Sequence, residues 1–159
     1  MVSVLMFDHI EWRRVSDPSF KQFKIDFEYS LMGYDIKLGR LDMLLRYAPE
    51  NGHCRRHRHI ASTMTLVLEG EQHLTEFQVD GTTKSIDRKK GDYALTKADA
   101  LPHLEHGGEF GGTVMLSLLA KDGKIFEYFG EDPNDSWTIS IQDYVHSWEN
   151  GVNYGNRPI

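Results

Sequence analysis

"GHCRRHRHIASTMTLVLEG", residues 52–70, decides the reading of this fold. Positions 53–59 within it put three imidazoles and three guanidiniums into seven residues. Residues two apart on an extended strand share a face, so His57 and His59 look one way while Arg56 and Arg58 look the other. Two readings stay open on that pattern alone. One is a basic strand bathed in solvent, with no ligand role. The other turns both imidazoles inward, where they can grip one metal ion at about 2.0–2.1 Å. Two ligands bind weakly, so the second reading needs a third from another strand. "LPHLEH", residues 101–106, offers His103, and His106 as a further candidate.

The surroundings read as short strands separated by turns. "TMTLVLEG" is rich in β-branched and apolar residues and stops at Gly70. "HLTEFQV" alternates and closes at Asp80-Gly81, a dipeptide suited to a tight hairpin. "TTKSI", "YALTK", "TVMLSLLA" and "KIFEYFG" follow, divided by Gly91, by the glycines at 107–112 and by Asp122-Gly123. Upstream, "DIKLGRLDMLLRYA" reads as a strand ending at Pro49, with "ENG" turning after it. Residues 36–130 thus form the core of a sandwich or barrel. Residues 1–35 are expected to add edge strands, from "HIEWRRV" and the alternating Phe23, Ile25 and Phe27. Near the C-terminus the period changes: Ile141, Tyr144, Val145 and Trp148 lie on one helical face. Ser140 with Asp143 resembles a capping box, Ile139 with Tyr144 a hydrophobic staple, and Gly151 is a stop. A short helix is expected within residues 138–150, followed by a tail.

Composition narrows the function. The chain has 159 residues, 40% hydrophobic, and a formal charge of −6, which suits one domain and argues against nucleic-acid binding. Cys54 is the only cysteine, so no intrachain disulfide forms. The N-terminal apolar run has no basic segment before it and meets Asp8 early, unlike a signal peptide, and no stretch approaches a membrane span. The cytoplasm is the expected location, with no membrane partner. No phosphate-binding or dinucleotide motif is present.

"GHCRRHRHIASTMTLVLEGE" and "KKGDYALTKADALPHLEH" together resemble the two motifs of the cupin superfamily. Gly52, His57, His59 and Gly70 match the first motif; Gly91, Asp92, Pro102 and His103 match the second. The resemblance covers about residues 40–130. It implies an all-β double-stranded β-helix, or jelly-roll barrel, with a metal inside. The departures are informative. The family's metal-binding glutamate falls at about position 63, where this chain has Thr63, and Lys97 and Asp99 replace an expected Pro and Gly. The resemblance therefore implies a three-histidine set, His57, His59 and His103, like that of the acetylacetone-cleaving and cysteine dioxygenase branches. Such a set leaves the full charge of a divalent transition metal and up to three open positions. Fe(II) is the expected ion, with Zn, Ni or Mn as alternatives.

Strand parity places Thr63, Thr65 and Val67 inward, provided no bulge intervenes. His73 has inward parity too, as a cavity or ligand residue, or else lies on the surface. Glu105 shares the parity of His103, as an imidazole partner or a solvated side chain. His106 faces away from His103. Tyr93 offers a hydroxyl to the pocket. No catalytic residue is assigned. The Arg55, Arg56 and Arg58 cluster is a solvated face, a contact for an anionic partner or part of a dimer interface. Three functions compete: a mononuclear oxygenase acting on a small chelating substrate such as a diketone, hydroxyketone or thiol acid; a non-catalytic metal- or metabolite-binding module with a regulatory role; and a barrel without metal. A homodimer formed through edge strands is the expected assembly, by analogy with the family.

Overall fold

The computed structural model describes residues 9–152. In chain order the strands are β1 (Arg13–Asp17), β2 (Ile25–Asp35), β3 (Arg40–Tyr47), β4 (His57–His59), β5 (Ser62–Phe77) and β6 (Thr83–Lys89). There follow β7 (Tyr93–Thr96), β8 (His103–His106), β9 (Gly112–Leu119), β10 (Lys124–Phe129), β11 (Ser136–Ser140) and the helix α1 (Ile141–Glu149). The named strands pair antiparallel throughout.

β5 organises the architecture, because it belongs to two layers. Its first half lies between β9 and β7, its second half between β6 and β8. One layer therefore runs β1-β2-β3-β9-β5-β7, and the other β6-β5-β8-β4-β10-β11. Leu41, Met43, Leu45, Leu116 and Leu118 from the first layer join Ile125, Phe126 and Ile139 from the second in a single buried cluster. Removing that apolar surface from water is the main force closing the curled sheet. One join is thin: β4 and β8 meet at a single register pair, His57 opposite His103.

β5 turns its corner at a bulge between Val67 and Glu69. Gly70 follows at φ +64°, and a Cβ there would stand 2.4 Å from the Gly111 carbonyl oxygen, so only glycine fits. The strand was expected to stop at Gly70; it bends there and continues to Phe77. The extra residue inverts side-chain parity. Thr63, Thr65 and Val67 are buried before the bulge, Gln72 and Leu74 after it.

Two other elements differ from the sequence reading. The stretch from Asp35 is not one strand but the tip of the β2–β3 hairpin. Asp35 Oδ1 accepts the Leu38 amide at 3.0 Å, and Gly39 at φ +68° completes the turn. Residues 138–140, expected in the helical segment, end β11, which pairs with β10.

α1 begins where the capping pattern puts it. The Ser140 hydroxyl accepts the Asp143 amide at 3.0 Å. Ile141, Tyr144 and Val145 are buried, and the Tyr144 and Trp148 rings lie 5.6 and 5.7 Å from Tyr29 of β2. Gly151 follows at φ +71°. β1 edges the first layer, while β2, which holds Ile25 and Phe27, lies inside it between β1 and β3; residues 1–8 and the tail residues 153–159 lie outside the described part. Among the described residues no helix is long and apolar enough to cross a membrane.

Candidate metal centre

β4 is three residues long, and its alternation puts His57 and His59 inward and Arg58 outward. β8 places His103 opposite His57. The three imidazoles are buried, and one nitrogen from each lies within 4.8 Å of the other two. The His57 and His59 Nε2 atoms are 3.2 Å apart. Two nitrogens on one metal at about 2.0–2.1 Å stand roughly 2.9 Å apart at a right angle and 3.4 Å apart at the tetrahedral angle, so the observed spacing fits.

The other ring nitrogen of each histidine fixes its tautomer. His57 Nδ1 lies 2.7 Å from the Arg55 carbonyl and His103 Nδ1 lies 3.3 Å from that of Leu101, so each donates there. The Thr63 hydroxyl gives its one hydrogen to the Ala61 carbonyl at 3.1 Å and therefore accepts from His59 Nδ1 at 2.8 Å. All three Nε2 atoms are left as lone pairs. His103 Nε2 is buried without a hydrogen-bond partner. Lone pairs crowded at 3.2 Å repel unless a cation sits between them, and a divalent ion meets that need.

Burial, with the neighbouring His103, pushes His57 down to about 4. His59 falls well below its ordinary value through burial and then the His57 and His103 rings. Both are neutral near pH 7, the form that ligates metal. Burial works to raise the Glu105 carboxyl, and positive charge at His103, His57 and His59, which a bound cation would supply in place of ring protons, works to lower it.

The remaining candidates divide. Thr63 and Thr65 are buried, and Thr63 has the orienting role just described. Glu105 is inside, its oxygens 3.8 Å from His57 Nε2 and 3.7 Å from His103 Nε2. His73 is outside, because the β5 bulge reverses its parity; it sits between Asp87 at 2.7 Å and Glu71 at 2.8 Å. Tyr93 is outside as well, 62% exposed on the β7 edge opposite Leu66. His106 faces away from His103 and stacks between His53 and His73, at 4.5 and 5.1 Å. The guanidiniums are used within the fold: Arg55 pairs with Asp17 at 2.7 Å, Arg58 with Glu127 at 2.5 Å, and Arg56 lies over the Phe77 ring.

The sequence reading missed the network behind Glu105. Gln72 Nε2 donates to a Glu105 oxygen at 3.2 Å and to the Tyr47 hydroxyl at 2.9 Å, while Arg88 donates to the Gln72 oxygen at 2.8 Å. Cys54 is buried beside the same carboxylate, and burial raises its thiol well above the ordinary range. The signal for Gln72 was its alternation with Leu74, legible only once the bulge is known.

Phe126 and Tyr128 of β10 wall the site, with Phe126 5.1 Å from the His59 ring and Tyr128 5.7 Å from that of His57. The cavity they share with Met43, Leu45 and Leu116 measures about 10 Å³, near the minimum for one water molecule. The larger grooves among the described residues lie elsewhere, one along Arg14, Asp26, Arg46 and Phe110.

No family model matches the chain, and no curated protein matches it. Solved structures do. A provisionally assigned acetylacetone dioxygenase of Methylibium petroleiphilum PM1 superposes with a TM-score of 0.65 at 13% identity, over 93% of this chain and 94% of that one. A variant of Bacillus subtilis oxalate decarboxylase gives 0.54 at 15% identity; 92% of this chain is covered, but it spans only 36% of that enzyme. A cupin superfamily protein of Desulfitobacterium hafniense DCB-2 gives 0.50 at 16% identity, over 60% of this chain and 78% of the other.

Proposed function

We propose that this chain, whose fold is the cupin β-barrel, is a mononuclear metal-dependent oxygenase that cleaves or oxidises a small chelating substrate such as a diketone or hydroxyketone. The observation that carries the reading is the convergence of three Nε2 lone pairs on one point, each tautomer fixed from behind. The likeness to a protein assigned as an acetylacetone dioxygenase favours this substrate class. His57, His59 and His103 hold the ion. The Arg55 and Leu101 carbonyls and the Thr63 hydroxyl aim their rings, and Phe126 and Tyr128 exclude bulk water. Fe(II), the proposed ion, supplies open positions for an anionic chelate and for redox chemistry with dioxygen. Because the cavity has room for only about one water, a diketone enters by displacing wall side chains.

A second reading has that same narrowness in its favour: a non-catalytic metal- or metabolite-binding cupin with a regulatory role. Elemental analysis of untagged protein, purified without added metal, comes first. Oxygen uptake by the Fe(II)-loaded protein with pentane-2,4-dione and a panel of hydroxyketones then separates the readings. Uptake that is lost in His57→Ala supports the oxygenase. Bound metal with no uptake across the panel supports the binding module.

On this reading the protein is a cytoplasmic homodimer paired through edge strands. β7, an edge of the first layer, exposes Tyr93 and Leu95 at 62% and 66%. Sedimentation at twice the 18.3 kDa chain mass, lost in Leu95→Lys, is the expected result; a monomer at all concentrations rejects the pairing.

A further inference from the structure

Position 63, where the resemblance expects a metal-binding carboxylate, holds Thr63, and its hydroxyl serves His59 instead. The barrel interior nevertheless contains a carboxylate. Glu105 stands two residues after His103 on β8 and shares its buried face. Its side chain is 4% exposed, and its oxygens lie 3.8 Å from His57 Nε2 and 3.7 Å from His103 Nε2. Both gaps are too long for hydrogen bonds. Adjacent nitrogen and oxygen ligands on one ion, at about 2.0–2.2 Å each, stand roughly 3.0–3.4 Å apart. The carboxylate thus borders two of the three nitrogens but stands outside the group whose ligand atoms all lie within 4.8 Å of one another, so a side-chain rotation brings it to the ion.

Its other neighbours point the same way. Gln72 Nε2 donates to Oε2 at 3.2 Å, and the amide is itself held by Tyr47 and by Arg88. Among the described residues no lysine or arginine pairs with Glu105. The Glu105 oxygens lie beside the Nε2 lone pairs of His57 and His103, and such acceptors crowded in a buried space are stabilised by a cation among them.

We infer that Glu105 is the fourth protein ligand of the metal centre, a carboxylate delivered by β8 in place of the one that β5 lacks. The centre is then three histidines and one carboxylate, with up to two open positions rather than three. Those two positions would take either one bidentate chelate, or one single-atom donor of the substrate beside dioxygen. This inference rests on the metal-centre reading above.

The test is metal binding, not turnover. Zn(II) and Co(II) affinities are measured by chelator competition for wild type, Glu105→Gln and His57→Ala, with circular dichroism to verify folding. Glu105→Gln keeps an oxygen for Gln72 but loses the charge. It is expected to weaken binding about 100-fold or more, at or beyond the top of the range set by residues that only orient ligands. X-ray absorption of the Zn(II)-loaded wild type is expected to need an oxygen ligand from the protein, lost in Glu105→Gln. Unchanged affinity and an unchanged spectrum in Glu105→Gln, with binding abolished in His57→Ala, overturn the inference and leave the three-histidine centre standing. Wild type that binds neither ion overturns both. If Glu105→Gln does not fold, a Zn(II)-soaked wild-type crystal decides: a carboxylate oxygen at about 2.0–2.2 Å supports the role, and one beyond 3 Å refutes it.

Discussion

Thr63→Val is the sharpest perturbation of the site that touches no ligand. Valine matches threonine in shape, so the packing at this fully buried position survives. What is lost is the acceptor 2.8 Å from His59 Nδ1 and the donor to the Ala61 carbonyl. A buried N–H left unpaired costs about 1–3 kcal/mol. In a chain of this size each kcal/mol moves Tm by about 2–4 °C, so the metal-free protein is expected to melt roughly 2–12 °C lower. The second effect is on the tautomer. Without the hydroxyl, His59 is no longer committed to carrying its proton on Nδ1, and its Nε2 lone pair is not held toward the site. Removing such an orienting partner weakens metal affinity by about 10–100-fold. Chelator competition with Zn(II) reads this directly, and Thr63→Ser, which keeps the hydroxyl, should bind within a few-fold of wild type. Thr63→Val binding metal as tightly as wild type would refute the assignment of tautomers on which the site rests.

Three further expectations test the surroundings. Asp87, with Glu71, raises the His73 pKa above its ordinary 6.5. The contribution of that clamp to stability is therefore complete below pH 6.5 and fades as pH rises through the raised value. An NMR titration of His73 should show the elevation, and Asp87→Asn should lower it; no change on substitution discards the clamp. Gly70→Ala forces φ +64° on a residue with a Cβ 2.4 Å from the Gly111 oxygen, so it should cost at least about 1–2 kcal/mol in urea unfolding, and a neutral result contradicts the corner described for β5. Cys54, buried with its thiol raised by desolvation, should resist Ellman's reagent in the native protein and react fully on unfolding. Rapid native labelling would show that the interior opens far more readily than the structure implies.

The three-histidine cluster was legible because it depends on the shortest-range rule a strand obeys. His57 and His59 are two apart on an unbroken segment, and "LPHLEH" announces the return strand. Everything read across the β5 corner was not. One extra residue at Val67–Glu69 moved His73 from the interior to the surface and put Gln72 in its place. A bulge is fixed by contacts with the Gly111–Gly112 backbone, forty residues on, and single-strand alternation carries no trace of it. Tyr93 failed for a related reason: its side depends on its pairing with Leu66, whose own side chain points outward. The β2–β3 tip was hidden because Ile36 and Leu38 continue an apolar alternation, while the turn is made by the Asp35 side chain and Gly39. Thr63 shows the opposite case. Its inward parity was readable, but its role appeared only when the hydroxyl was seen between His59 and Ala61.

The single register pair between β4 and β8 gives an ion bound there a mechanical meaning. Held by His57 and His59 on one flank and His103 on the other, it rivets the second layer at its narrowest place. In the chain-entropy treatment of cross-links, closing a loop as long as that between His57 and His103 is worth about 4 kcal/mol. Demetallation should then unzip the layer along this line, with amides of β4 and β10 exchanging hydrogen faster while those of β3 and β9 keep their protection. Uniform protection with and without metal would show that the flanks hold together unaided.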